Sequence, residues 1–348
     1  MTGDHPLSLG EGNTPVTRSR HIGPQAGLRN LFFKLESVNP SGSYKDRFAA
    51  AAVGDMLAAG KTLCLSTSSG NTGSALAAYC AAARIACRIA IVETTPQGKT
   101  RQMLAHGAEL HRVKGFGIEP NVTRQVFNTL QAWGAQSDAA LQISAFACSP
   151  VGMSGVQSIS TELSDQLDGA IAHVYVPAGG GGLTLAVARG FEDSACRPRV
   201  ECVQPEGNDT IVTALNDGDT SAREVDCTTE ISGLQVPSIL DGHEVIGACR
   251  ASGGEGHLVS DADVWAMQTR LAREEGIFCE PAGAVAVVGA VEAARRGDVA
   301  PDAVVVCLIT GTGFKDERSL TAMTAEADCP LLDFASWASE MKTERARP

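Results

Sequence analysis

Short runs of apolar residues alternate with longer stretches of helical periodicity along most of this chain. Thr62–Ser66, Ile85–Val92 and Glu109–Val113 read as buried strands. Thr72–Ala83, Gln97–Gly107 and Pro120–Trp133 read as the helices that follow them. A second set begins with a strand over Val174–Pro177, a helix over Leu183–Gly190 and a strand over Val200–Gln204. Asp261–Glu275 has the spacing of an amphipathic helix with Ser260 as its N-cap, Ala282–Ala294 is a further helix, and Ala303–Ile309 is a very apolar strand. Strands and helices that alternate with such short connections predict mostly parallel sheets covered by helices. The rhythm breaks at AFACSPVGMSG, which marks a boundary between two α/β units near residues 145–155. Asn208–Glu244 has weak periodicity and is expected to be rich in loops, and the tail ending KTERARP is expected to fray. No internal repeat is present.

Composition narrows the class of protein. A length of 348 residues suits about two domains at ~150 residues each. Hydrophobic content of 44% with 20% charged residues is that of a globular chain. The net charge of −12, with no long Lys/Arg run, argues against nucleic acid as a partner. The 11 cysteines are scattered without a C-x-x-C pair, and several lie inside apolar runs, so buried reduced thiols are expected rather than metal ligands. The N-terminus lacks a basic segment followed by an apolar one, and no apolar stretch is long enough for a bilayer, so the expected location is the cytoplasm and no membrane partner is expected.

Candidate chemistry concentrates in five segments, each where a strand ends or a helix begins, which is where open α/β sheets bind ligands. In Asn39-Pro40-Ser41-Gly42-Ser43-Tyr44-Lys45-Asp46-Arg47 a turn leads into a helix beginning near Ser43. Lys45 then lies in the first turn, where the helix dipole disfavours a cation by ~0.3–1 kcal/mol and so favours a nucleophilic amine. Ser68-Ser69-Gly70-Asn71-Thr72-Gly73 offers successive amides and hydroxyls at a helix start, a nest suited to a carboxylate. Gly179-Gly180-Gly181-Gly182-Leu183-Thr184 lets the backbone wrap a phosphate, and no Gly-Lys-Ser/Thr follows to make it a Walker A loop. A degenerate dinucleotide loop, with Glu206 placed for a ribose, is the competing reading. Glu280-Pro281-Ala282-Gly283-Ala284 opens a helix with Pro at its first position, and Thr310-Gly311-Thr312-Gly313-Phe314-Lys315-Asp316 ends the strand VVVCLI.

In this order and spacing the segments resemble the pyridoxal 5′-phosphate (PLP) enzymes of the tryptophan-synthase-β type, fold type II, over nearly the whole chain. The resemblance implies an α/β protein of two open, mostly parallel twisted-sheet domains with the cofactor cleft between them. It implies a large domain of residues 1–49 plus 151–348, a small mobile domain of residues 50–150, and a homodimer. It also implies roles: Lys45 carries PLP and acts as catalytic base; Ser68, Ser69, Gly70, Asn71 and Thr72 hold the substrate carboxylate, with Asn71 also contacting the ring oxygen. Gly179, Gly180, Gly181, Gly182 and Leu183 hold the cofactor phosphate, and Thr310 faces the ring nitrogen. A neutral hydroxyl there, in place of a carboxylate, favours elimination and replacement over transamination.

Within the family, Gly10-Glu11-Gly12-Asn13-Thr14-Pro15 and the Thr310–Asp316 segment look most like threonine synthases, which convert O-phosphohomoserine and water to threonine and phosphate. Pro150–Ser158 departs from that pattern, because it has no Arg, Glu or Lys where those enzymes carry a cationic stretch near the substrate phosphate. Lys99, Arg101 or Lys315 could compensate. A β-elimination or β-replacement enzyme acting on serine, threonine or an O-activated serine is the alternative; a nicotinamide-binding oxidoreductase and a catalytically silent PLP-binding protein stand behind it.

Overall fold

A computed structural model describes residues 7–344 apart from Ser69 and Asp193, so the carboxylate-nest role expected of Ser69 and the end of the tail lie outside the described residues. Among the described residues, ten strands form two sheets. In chain order they are β1 (Val16–Arg18), β2 (Asn30–Leu35), β3 (Leu63–Ser66), β4 (Ala86–Ile91), β5 (Glu109–Arg112), β6 (Ala139–Leu141), β7 (His173–Pro177), β8 (Arg199–Pro205), β9 (Gly256–Val259) and β10 (Val304–Ile309). The larger sheet has the order β1-β2-β10-β7-β8-β9 and the smaller β5-β4-β3-β6. Every pairing is parallel except β1 with β2. Parallel sheets must be covered on both faces, and β7, β8 and β10 accordingly read as near-continuous buried runs.

The helices follow the periodicity closely. Asn71–Ala83 and Pro281–Arg296 are alanine- and valine-rich and largely buried, while Asp261–Glu274 starts at Ser260, whose hydroxyl accepts from the Asp263 amide. The structure adds elements that the apolar runs did not mark, among them β1, β6, β9 and the helices Glu317–Met323 and Phe334–Glu344, and it differs elsewhere too. The supposed break around 145–155 contains a helix, Pro150–Val156, followed by another at Ser158–Gln166. Its glycines made it look like a loop, but they serve a close crossing: a Cβ on Gly155 would lie 2.4 Å from the Arg47 carbonyl oxygen on the helix Lys45–Ala58. The loop-rich stretch 208–244 holds a short helix, Val212–Asn216, and Gly242–Ser252 forms a helix at its end. The helix expected near Ser43 begins at Lys45.

The motif that carried the threonine-synthase likeness at the N-terminus serves as an anchor. Thr14 Oγ1 donates to Glu36 Oε1 (2.6 Å), the Asn13 amide to Glu162 Oε1 (2.7 Å), and the Gly12 amide to Asn39 Oδ1 (2.9 Å). At the centre lies Arg47. Its guanidinium donates to both oxygens of Glu36 (2.7 and 2.8 Å) and both of Glu162 (2.5 and 2.8 Å). Lys34, fully buried, adds a 2.6 Å bond to Glu162. Burial alone would raise the Glu162 pKa, but hydrogen bonds and charge from Arg47 and then Lys34 outweigh it and hold the carboxyl at about 2. The anchor thus fixes the helix whose first residue is Lys45.

Candidate active site

A cleft of about 480 Å³ opens where the C-terminal ends of strands from both sheets converge. Its lining includes Lys45, which follows β2; Ser68, Gly70, Asn71 and Thr72, after β3; Gly179–Leu183, after β7; and Thr310, after β10. Loops at the C-terminal ends of parallel strands share one edge of the sheet, so residues far apart in sequence meet there. Glu206 does not line the cleft; it borders a separate surface pocket with Asp209 and Arg223, which removes the nicotinamide reading of the glycine loop.

Three loops of the larger sheet are stitched together by main-chain bonds. The Tyr44 amide donates to the Thr310 carbonyl (3.0 Å), the Thr312 amide to the Gly42 carbonyl (2.9 Å), and the Glu280 amide to the Gly311 carbonyl (2.9 Å). The loop that leads into Lys45 is thereby fixed to the segments that carry Thr310 and Glu280. Its Nζ donates to Ser144 Oγ at 2.6 Å and lies 4.5 Å from the centre of the Tyr44 ring. Ser144 Oγ in turn is 3.0 Å from Thr72 Oγ1. Burial pulls the Lys45 pKa down to about 7, against the weaker opposing pull of Glu280 and Asp241. Desolvation is thus the main reason that this amine is available as a free base near neutrality, and the helix dipole invoked from sequence is secondary.

The glycine loop leads straight into the helix Gly182–Glu192, whose first N–H groups have no helical partner and face the cleft end. Gly181 sits at φ +92°, and a Cβ there would come within 2.7 Å of Val245 Cγ2. A side chain would both strain the backbone and push the loop off its support, so the cradle is open to a phosphate only with glycine. On the opposite wall Asn71 opens the helix Asn71–Ala83.

Glu280 joins the two sides. Asn71 Nδ2 donates to both its oxygens (3.0 and 2.9 Å), and Thr310 Oγ1 donates to Oε1 at 2.9 Å. Burial raises the Glu280 pKa, partly offset by those two hydrogen bonds. Sequence reasoning had given this residue only helix-start chemistry. Ser144 was missed altogether, because nothing local marks a serine in an irregular segment 99 residues from its lysine. Lys99 and Lys315 also line the cleft; Lys99 Nζ donates to Ser232 Oγ (2.5 Å) and Lys315 Nζ to Gln102 Oε1 (2.6 Å). Arg101 and residues 150–158 do not line it.

A lysine amine, a glycine cradle at a helix start, an amide and a late-strand hydroxyl around one cleft fit the amine-reactive, phosphate-bearing PLP. Comparison with known proteins agrees. The chain is 29% identical to the threonine synthase of Methanosarcina acetivorans over 92% of its own length and 79% of the relative's. It is 30% identical to the threonine synthase of Mycobacterium leprae, covering 94% and 88%. Among solved structures, the processed form of threonine deaminase isoform 2 from Solanum lycopersicum superposes with a TM-score of 0.76 at 22% identity, covering 90% and 83%. O-ureido-L-serine synthase superposes with a TM-score of 0.70 at 21% identity, covering 94% and 97%. The family model described as "Pyridoxal-phosphate dependent enzyme" matches residues 7–311, and this chain belongs to that PLP-dependent family.

Proposed function

We propose that this PLP-dependent elimination and replacement enzyme acts on an amino acid whose side chain carries an anionic leaving group, in the manner of a threonine synthase. The observation that carries this reading is the pair Lys99 and Lys315 in the cleft lining, on the helix Gln97–Ala105 and in the turn after Thr310. The lack of cations at 150–158 loses its weight, since that stretch packs away from the cleft against the helix Lys45–Ala58. The two threonine synthase relatives support the same choice.

In this reading Lys45 and Gly179–Leu183 hold PLP, Asn71 approaches its ring oxygen, and Thr310 its ring nitrogen. Bound there, PLP supplies an electron sink for the substrate's α-carbon. The substrate carboxylate docks on the Ser68–Thr72 nest at the start of the helix Asn71–Ala83. Lys45 Nζ, deprotonated near neutrality, takes the α-proton, and Ser144 orients that amine. Lys99 and Lys315 neutralise the departing anion. Approach of the smaller sheet's loops toward Thr310 and Glu280 would exclude bulk water until the nucleophile is admitted.

The test is a visible-absorption titration of the PLP-loaded protein with O-phosphohomoserine, L-serine, L-threonine and O-acetylserine, with released phosphate assayed in parallel. Perturbation by O-phosphohomoserine with phosphate release is expected. Replacement of Lys99 or Lys315 by Met should then raise KM about 10- to 100-fold, the worth of a charge-assisted hydrogen bond. A response to a serine derivative alone would make the chain a β-elimination or β-replacement enzyme instead.

A further inference from the structure

Away from the cleft, three cysteines of the smaller sheet converge. Cys64 on β3 and Cys87 on β4 are register partners across the parallel pair, and Cys80 comes down onto them from the helix Asn71–Ala83. The three Sγ atoms all lie within 4.8 Å of one another, and Cys64 and Cys80 are completely buried. By contrast, the equally buried Cys307 gives its thiol to the Ala286 carbonyl and behaves as an ordinary core residue.

We infer that this triad is a site for a soft, three-coordinate ion of the arsenic(III) type. Three sulfurs bound to one arsenic(III) at ~2.3 Å form the base of a pyramid, because the ion keeps a lone pair, and stand roughly 3.5 Å apart, which small rotamer shifts from the observed spacing supply. Zinc prefers four ligands, and among the described residues no fourth His, Cys, Asp or Glu joins the group. Charge points the same way. Three thiolates around a trivalent ion make a neutral unit, which an apolar core accepts; a monovalent or divalent ion would leave net negative charge buried without a counterion. The chemistry is an exchange without redox change: As(OH)₃ and three thiols give the tris-thiolate and three waters, each thiol proton leaving with one hydroxyl.

The site also has leverage. Cys64 lies two residues before the end of β3, from which the chain enters the Ser68–Thr72 loop, and Cys80 lies on the helix that Asn71 opens. An ion here would clamp both elements that carry the candidate substrate nest.

The experiment uses reduced PLP-loaded protein with Cys148, Cys227 and Cys329, the cysteines outside the core, changed to Ser. Arsenite is added under native conditions and the adduct is weighed by mass spectrometry, with the PLP absorption band reporting a folded site. One arsenic with loss of three thiol protons is expected, together with a raised Tm, and both should vanish in Cys87→Ala and Cys80→Ala. Because the triad is buried, the titration is repeated on protein refolded with arsenite present. No adduct after refolding, an adduct that keeps a hydroxyl and uses two thiols, or an adduct unchanged in both variants would each overturn the three-thiol site.

Discussion

Lys45 and Arg47 stand two residues apart in the first turn of one helix, Lys45 part-buried and Arg47 buried, and desolvation has opposite outcomes for them. Lys45 meets hydroxyls and an aromatic face, with Glu280 and Asp241 acting only at a distance, so desolvation wins and its pKa falls to about 7. Arg47 suffers desolvation too, but Glu36 and Glu162 grip it from both sides and its pKa is driven upward. The reactive lysine is left short of direct counterions; the structural arginine is saturated with them. The lesson is that a turn of helix can hold a nucleophile and its support only if the counterions are segregated. Here they come from the segment just after β2, which carries Glu36, and from the helix Ser158–Gln166, which carries Glu162, and neither lines the cleft.

That contrast can be broken at either residue. Lys45→Ala should abolish the band of bound PLP and lower kcat by about 10²–10⁴-fold, the range for loss of a positioned base, while far-UV circular dichroism stays unchanged. Retained turnover would end the role given to Lys45. Arg47→Met should leave the cleft chemistry in place but strand the buried Glu36 carboxylate and leave Glu162 to Lys34 alone, at a cost of about 3–5 kcal/mol in urea unfolding. Adding Glu36→Gln should recover much of the loss; if it does not, the anchor acts through packing rather than charge.

Smaller effects sharpen the picture. Gly181→Ala should weaken PLP binding by about 1–3 kcal/mol through backbone strain at φ +92°, read by equilibrium dialysis, with little change in overall fold. The pH dependence of stability should separate the two regions. For Lys45 in the PLP-free protein, the folded pKa of about 7 lies below the ordinary lysine value of 10.5, so between those values the unfolded chain holds one more proton. Stability therefore rises with pH across that window, and Lys45→Met should flatten the rise. For Glu162 the folded pKa of about 2 lies below the ordinary 4.5, so its contribution is complete above 4.5 and is lost as pH falls toward 2. Glu162→Gln should remove that acid-side slope and, by leaving the buried Lys34 without its carboxylate, steepen the alkaline one.

Much of this was legible in the chain itself. The apolar runs located β3, β4, β5, β7, β8 and β10 and several of the helices that follow them, because a sheet buried on both faces leaves a continuous apolar signature, whereas the short β1, β6 and β9 leave no such run. Lys45, the Ser68–Thr72 nest, the four glycines and Thr310 were marked by turn chemistry at strand ends, where backbone requirements are local. The helix Pro150–Val156 was hidden, since glycines placed there for a close crossing look the same in sequence as glycines placed for a turn.

What the sequence determined alone was much of the alternation of elements and the glycine-rich turns at strand ends, because hydrogen-bonding and steric demands within a few residues leave a readable pattern. The tertiary structure alone decided which polar groups share a space: Ser144 with Lys45, Glu280 between Asn71 and Thr310, Glu36 and Glu162 around Arg47, and the three thiols against one another. Desolvation and counterion distance are set by neighbours 11 to 209 residues away. No local pattern encodes them, and they are what shifts the two cations, Lys45 and Arg47, in opposite directions.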